Sequence, residues 1–273
     1  MAKAAHIDTG CTEWSELWEK EDISRWDYLS QVILNEIKSI VKDFRSRDVA
    51  ELGSGTGRIS RAISQDGGNT TLLDKCEDVL RRSKAEFTGE PANVNFIVGA
   101  FPDIPIKTGR FDMVWNAGVM EHFTGEILKQ SILEMVRVCK TSGTIITINP
   151  YKKSWLHNIG KNFMMLFPSF PYRDEYPIDT LKAVLSDTGT DVIIREYSSG
   201  FFALFAGVFK RLSLFSYIRS ISLCVFWALN NTLCGLDRSF AGPVFRSIDK
   251  FLSKIFGGYL LVSVIRQSKI TEG

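Results

Sequence analysis

VAELGSGTGRIS, residues Val49–Ser60, decides the fold of this 273-residue chain. A short apolar run ends in Glu51-Leu52, passes Gly53, Gly55 and Gly57, and enters a helical pattern at Arg58. Glycine tolerates positive φ and lets another group approach the backbone closely. A helix that starts straight after such a loop points unpaired N–H groups and a partial positive charge at whatever sits there. In an open α/β sheet, ligands bind outside the carboxyl ends of the strands.

The elements around this stretch alternate. Strands are expected at Asp48–Leu52, Thr70–Asp74, Val94–Val98, Phe111–Asn116, Thr144–Asn149, Val192–Tyr197 and Tyr259–Arg266. Helices are expected at Thr12–Lys20, 23–44, Arg58–Gln65, Cys76–Phe87, Gly125–Lys140 and Ile178–Ser186. Strands separated by helices imply right-handed crossovers and a parallel sheet covered on both faces. Four regions are expected: N-terminal helices over residues 1–45, a core over 46–200, a helical insertion over 201–257, and a final strand with its tail over 258–273. Residues 151–176 break the rhythm with aromatics and prolines and read as a loop or short helices.

Composition excludes several classes. With 45% hydrophobic residues the chain is not disordered. A net charge of +2 gives no global case for nucleic acid. The amino-group motifs N-P-P-Y and D-P-P-Y are absent after the fourth strand, which argues further against a nucleic-acid acceptor. The five cysteines form no C-x-x-C and no metal-ligand spacing, so no metal centre and a reducing compartment are expected. The first 30 residues carry Glu13, Glu16, Glu19, Glu21 and Asp22 without an apolar block, unlike a secretory signal. A cytoplasmic location is expected, with peripheral attachment to the inner face of a membrane as an option.

Three ligands compete for the glycine loop. A phosphate-cradling loop needs G-x-x-x-x-G-K-[ST], and the lysine is missing. A dinucleotide loop needs G-x-G-x-x-G, and Arg58 stands where its last glycine packs helix on strand. Glu51 repels a pyrophosphate but suits a cation. S-adenosylmethionine carries a sulfonium and an amino group and has no phosphate. Its ribose needs an acceptor after the next strand, and Asp74 stands there.

Over residues 45–197 and the last strand, the chain resembles the class I S-adenosylmethionine-dependent methyltransferases. E-L-G-S-G-T-G-R is similar to that family's first motif, Asp74 to its ribose-binding acid, and Asn116–Met120 (NAGVM) to the segment beside the methionine end. Glu121-His122 resembles an E-H pair of the subgroup similar to quinone, sterol and fatty-acyl methyltransferases. The resemblance implies a Rossmann-like, mostly parallel seven-stranded sheet with an antiparallel last strand and a helical insertion before it. It implies S-adenosyl-L-methionine as cofactor and S-adenosyl-L-homocysteine as product. The cofactor set is then Glu51, Gly53, Ser54, Gly55, Gly57, Asp74, Lys75, Ala100, Phe101 and Asn116.

Two departures stand out. Gly99-Ala100-Phe101 replaces the G-D-A common in the family, leaving Phe101 to stack on adenine. About 60 residues separate the last two strands, where the family usually has a tight hairpin.

For catalysis, His122 and Glu121 are the candidates for binding or deprotonating the acceptor, with His157 a third. Asp103 reads as a turn residue. Trp14, Trp18 and Tyr28 either fold over the cofactor, where aromatics attract a sulfonium, or simply pack their helices.

The insertion carries the remaining signal. Residues 201–236 hold 24 apolar residues among 36 and three charges, Lys210, Arg211 and Arg219. Phe245, Ile248, Phe251, Leu252, Ile255 and Phe256 share a helical face opposite Arg246, Lys250 and Lys254. Such a segment can lie in a membrane interface, roof an acceptor pocket or form a homodimer face. A lipophilic or aromatic small molecule is the expected acceptor. A cofactor-binding regulatory module and a protein acceptor stay open as alternatives.

Overall fold

The computed structural model describes residues 11, 15, 25–89, 93–166, 175–186, 188–212 and 219–268. The helix expected at Thr12–Lys20 lies outside these residues apart from Ser15.

Seven strands form one sheet: β1 (Asp48–Leu52), β2 (Asn69–Asp74), β3 (Val94–Val98), β4 (Phe111–Ala117), β5 (Cys139–Pro150), β6 (Val192–Ser199) and β7 (Leu260–Gln267). Their order is β3-β2-β1-β4-β5-β7-β6. The pairs β1–β2, β1–β4, β2–β3 and β4–β5 are parallel, and β7 runs antiparallel to both β5 and β6. This is the expected mostly parallel sheet with its last strand reversed. β6 and β7 pair along their whole lengths despite the long connection between them.

The helices are α1 (Tyr28–Ile40), α2 (Arg58–Gln65), α3 (Glu77–Glu86), α4 (Gly125–Val138), α5 (Trp155–Met164), α6 (Lys182–Ser186), α7 (Phe201–Leu212), α8 (Arg219–Arg238) and α9 (Gly242–Phe256). Asp27 starts α1 by accepting from the Ser30 amide at 2.7 Å, so this helix begins five residues later than its apolar pattern alone suggests. α4 passes directly into β5, which is twice the length expected because Cys139 already pairs with Phe111 ahead of a register shift.

Strand side chains alternate between two cores, as a covered parallel sheet requires. Val49, Met113, Trp115, Ile146 and Ile148 face α1, α2 and the α7–α9 helices. Ala50, Leu52, Val114 and Ile145 face α4 and α6. Ile132 and Met135 of α4 are fully buried there. Each such side chain contributes roughly 1.5–3 kcal/mol of burial.

The α7–α9 unit is docked on the sheet by polar contacts. Buried Glu36 of α1 accepts from the Tyr197 hydroxyl at 2.8 Å and the Ser199 hydroxyl at 2.7 Å, and sits 3.3 Å from the Lys250 ammonium. Asp249 accepts from the Gly200 and Phe202 amides at 3.0 and 2.9 Å, and the Ser253 hydroxyl accepts from the Phe201 amide at 3.1 Å. These contacts satisfy amides at the start of α7 that have no partner within the helix.

Candidate functional site

The site lies where the chain leaves β1 in one direction and enters the sheet at β4 in the other, the switch point at which α/β sheets bind ligands. Leu52, Asp74, Val98 and Ala117 end their strands along this edge.

Gly53, Gly55 and Gly57 all take positive φ, at 73°, 50° and 65°. The Gly53 and Ser54 amides donate to the Leu73 carbonyl at 2.7 and 2.9 Å, which seats the loop on β2. A Cβ on Gly53 would lie 2.6 Å from Val119 Cγ2, so the loops after β1 and β4 meet at this glycine. A Cβ on Gly57 would collide with Leu72.

Asp74 ties the loop together. Its Oδ2 accepts from the Gly55 amide at 2.8 Å and its Oδ1 from the Cys76 amide at 3.0 Å. A carboxylate offers about four acceptor positions, so roughly two remain for a pair of hydroxyls. Burial raises the Asp74 carboxyl above its ordinary value, while the Cys76 and Gly55 amides pull it back. Ser83 of α3 donates to the Gly55 carbonyl at 2.8 Å and braces the loop from behind. Beside it, the Cys11 thiol lies 2.6 Å from that of Cys76 and 3.5 Å from the Lys75 carbonyl, so Cys11 sits at this edge. Ser54 is buried, and its hydroxyl has no hydrogen-bond partner.

Glu51 is buried at the end of β1, and its Oε2 has no hydrogen-bond partner. Burial pushes its carboxyl up to about 8; the Ser60 hydroxyl and amide pull the other way, and Asp74 adds to the rise. A buried acceptor with nothing bound to it costs about 1–3 kcal/mol. A positively charged ligand at this spot would relieve that cost.

The other expected positions are less uniform. The Phe101 ring packs edge-on against Phe123 at 5.8 Å. Ala100 and Asp103 close a tight turn, the Asp103 amide donating to the Ala100 carbonyl at 3.1 Å. Asn116 is fully enclosed and donates to the Met135 thioether at 3.2 Å, so its side chain points into the α4 core instead of the cleft. His157 is buried against the Tyr259 ring at 5.0 Å. Tyr28 packs near Phe245 at 6.2 Å, and its amide donates to Asn230 at 2.5 Å, which makes it a core residue of the α1–α8–α9 junction. Trp14 and Trp18 lie outside the described residues.

Glu121 and His122 form a single helical turn, Met120–His122, directly after β4. The Met120 amide donates to Asn149 at 3.3 Å, which fixes this turn against β5. Glu121 is 2% exposed and its Oε2 lacks a hydrogen-bond partner. Burial pushes its carboxyl up to about 8, with Glu175 adding to the rise and Lys161 opposing it.

Glu175 is the residue that sequence reasoning missed. The Tyr176 amide donates to the Glu121 carbonyl at 2.7 Å, and buried Lys161 of α5 donates to the Glu175 carbonyl. Among the described residues, one donor atom each of Glu121, His122 and Glu175 fall within 4.8 Å of one another. This trio could hold a cation or a polar acceptor group. Glu175 lies more than 50 residues beyond Glu121, and no spacing rule connects the two.

Comparison with known proteins agrees with this geometry. Residues 49–143 match the family model described as "Methyltransferase domain". Over 125 residues the chain is 34% identical to 2-methyl-6-phytyl-1,4-hydroquinone methyltransferase 1, chloroplastic, of Oryza sativa subsp. japonica, covering 44% of this chain and 36% of that one. Over 141 residues it is 23% identical to phosphoethanolamine N-methyltransferase of Triticum aestivum, covering 51% of this chain and 27% of that one. The chain thus spans about a third of these curated relatives or less.

Among solved structures, the complex of the Haloferax volcanii Trm112 methyltransferase activator with the putative methyltransferase shares the fold. Its TM-score is 0.58 at 15% identity, over 93% of this chain and 97% of that one. Magnesium protoporphyrin IX methyltransferase of Synechocystis PCC 6803, solved with bound SAH, has a TM-score of 0.52 at 16% identity, over 70% and 89%. A glycine loop braced by Asp74 and a buried carboxylate ending β1 both lie within residues 49–143, the segment that matches a methyltransferase domain.

Proposed function

We propose that this protein transfers the methyl group of S-adenosylmethionine to a lipophilic or aromatic small molecule. The observation that carries the reading is the loop itself: three glycines at positive φ, pinned by Asp74 and flanked by the buried Glu51 carboxyl, whose Oε2 has no hydrogen-bond partner. The remaining acceptor positions of Asp74 suit ribose hydroxyls, and Glu51 suits the cationic end of the cofactor. When bound, the cofactor supplies a methyl carbon already activated by the sulfonium.

The protein's part is then alignment and, for a protonated acceptor, removal of one proton. Glu121 and His122 stand at the correct strand edge for that work. With its carboxyl pushed up to about 8, Glu121 takes a proton more readily than an ordinary glutamate. The hydroquinone methyltransferase relative, 34% identical over the shared segment, supports a phenolic, greasy acceptor.

The test has two stages. Calorimetric titration with S-adenosylmethionine should give saturable heat; none at millimolar ligand would defeat the reading. Transfer of labelled methyl into an organic-extractable panel of phenols and hydroquinones should follow. Label found only in water-soluble products would defeat the acceptor class while sparing the cofactor.

A further inference from the structure

The α9 helix divides its apolar residues between core and surface. Its buried residues are Gly242, Asp249 and Ser253, of which the two polar ones cap α7, and beside them Phe245 stacks on Phe202 at 5.0 Å. Its outward stripe is Val244, Ile248, Phe251 and Ile255, spaced i, i+4, i+7 and i+11, with Val244 64% and Phe251 62% exposed. An ordinary surface helix turns such a stripe inward.

The neighbours repeat the pattern. α5 exposes Trp155, Ile159 and Phe163 at four-residue spacing, and Leu166 follows at 74% exposure. α7, which touches both α5 and α9, exposes Phe205 and Val208. Among the described residues, 15 of the 19 large exposed apolar side chains lie in 155–166 or 205–256. Scattered exposed apolar residues are normal, but a concentration on adjoining helices marks an interaction surface.

Charge selects the occupant. Residues 201–256 carry seven Lys/Arg and two Asp/Glu. Both acids, Asp237 and Asp249, are buried and bonded inward. Lys254 is exposed beside the α9 stripe, and Lys152 is exposed just ahead of α5, where the neighbouring Lys153 pairs with Asp179 at 2.9 Å. Pairing with a second copy would bring two such positive surfaces together, whereas an anionic lipid headgroup layer complements them. Interfacial helices with apolar and basic flanks bind in this way.

We infer that α5, α7 and α9 form a docking face for an anionic bilayer, which presents the acceptor edge of the sheet to the lipid. α5 begins five residues after β5 ends, and its Lys161 holds the Glu175 segment against Glu121, so the face adjoins the candidate site. The inference rests on the methyl-transfer reading only for its account of why the acceptor is greasy. Docking itself stands apart from it.

The experiment is flotation of the full chain with phosphatidylcholine vesicles, without and with roughly 30% phosphatidylglycerol. The expected result is binding to the anionic vesicles that weakens with salt. Combined Ile248→Glu and Phe251→Glu should lower it by about tenfold or more, and Lys254→Glu by a smaller factor. Calorimetric binding of S-adenosylmethionine should be unchanged in both variants.

No flotation with anionic vesicles, or flotation indifferent to the Ile248 and Phe251 changes, overturns the inference. So does a lipid-free dimer in light scattering that those changes dissociate, since a second copy would then cover the face. Loss of cofactor binding in the unaltered chain would strike the methyl-transfer reading and leave the flotation result intact.

Discussion

Removing the titratable carboxyl at Glu121 should change how the ligand-free protein's stability responds to pH. Glu121 is 2% exposed, one of its oxygens has no hydrogen-bond partner, and its carboxyl is pushed up to about 8 from the ordinary 4.5. Between those values the folded chain keeps the proton and the unfolded chain has released it. The folded state therefore binds more protons, and stability falls as pH rises. The contribution is fully present below about 4.5 and is lost progressively up to about 8. The slope for one such group is about 1.4 kcal/mol per pH unit, or roughly 2.7 kcal/mol between about pH 5 and pH 7. Glu51 has the same direction and a similar value, so the two together double the slope.

Urea unfolding of the ligand-free protein at several pH values measures this directly. Glu121→Gln and Glu51→Gln should each flatten the curve by about half of their joint contribution, and the double variant by nearly all of it. Stability of the unaltered chain that is level from about pH 5 to pH 8, or a slope that Glu121→Gln leaves unchanged, would refute the reasoning. Near neutral pH each variant should be the more stable protein, because it removes an unpaired buried group that prefers to ionise in water.

Other perturbations act on the loop, the docked helices and the chemistry. Asp74→Ala should weaken S-adenosylmethionine binding by about 1–3 kcal/mol in calorimetry, and it should also lower the melting temperature because the Gly55 and Cys76 amides lose their acceptor. Gly53→Ala meets Val119 Cγ2 at 2.6 Å and sits at φ 73°, at a cost of about 1–3 kcal/mol. Adding Val119→Ala should recover the part due to contact and not the part due to φ; full recovery would show that the backbone conformation is immaterial. Asp249→Ala strips two amides at the head of α7 and should cost about 2–4 kcal/mol in urea unfolding, with the cofactor affinity unmoved. If Glu121 takes the acceptor's proton, kcat should rise with pH toward about 8 and then level, and Glu121→Gln should abolish that rise while binding cofactor normally.

Local periodicity carried the sheet and the cofactor edge into the sequence. The glycine loop, Asp74 one strand later and the alternation of strand with helix are short-range signals, each confined to a few adjacent residues. What escaped them depends on partners distant in the chain. Asn116 was placed at the cleft by the resemblance of the NAGVM segment, yet strand alternation turns its side chain toward Met135. Glu175 is brought to Glu121 through a backbone bond from Tyr176 and through Lys161, and neither leaves a trace in spacing.

The α9 helix is the most instructive case. Its sequence shows apolar and basic faces, and ordinary packing logic would turn the apolar face inward. The inward choice is set instead by Asp249 and Ser253, which satisfy amides at Gly200, Phe201 and Phe202. The two bonds to the Asp249 carboxylate are charge-assisted and worth about 1.5–3 kcal/mol each, enough to compete with the burial of one aliphatic side chain. The apolar stripe is left outside, where a greasy surface can cover it. The polar docking of α9 and its exposed Val244–Ile255 stripe are thus two consequences of one orientation, and Asp249→Ala and Phe251→Glu test them separately.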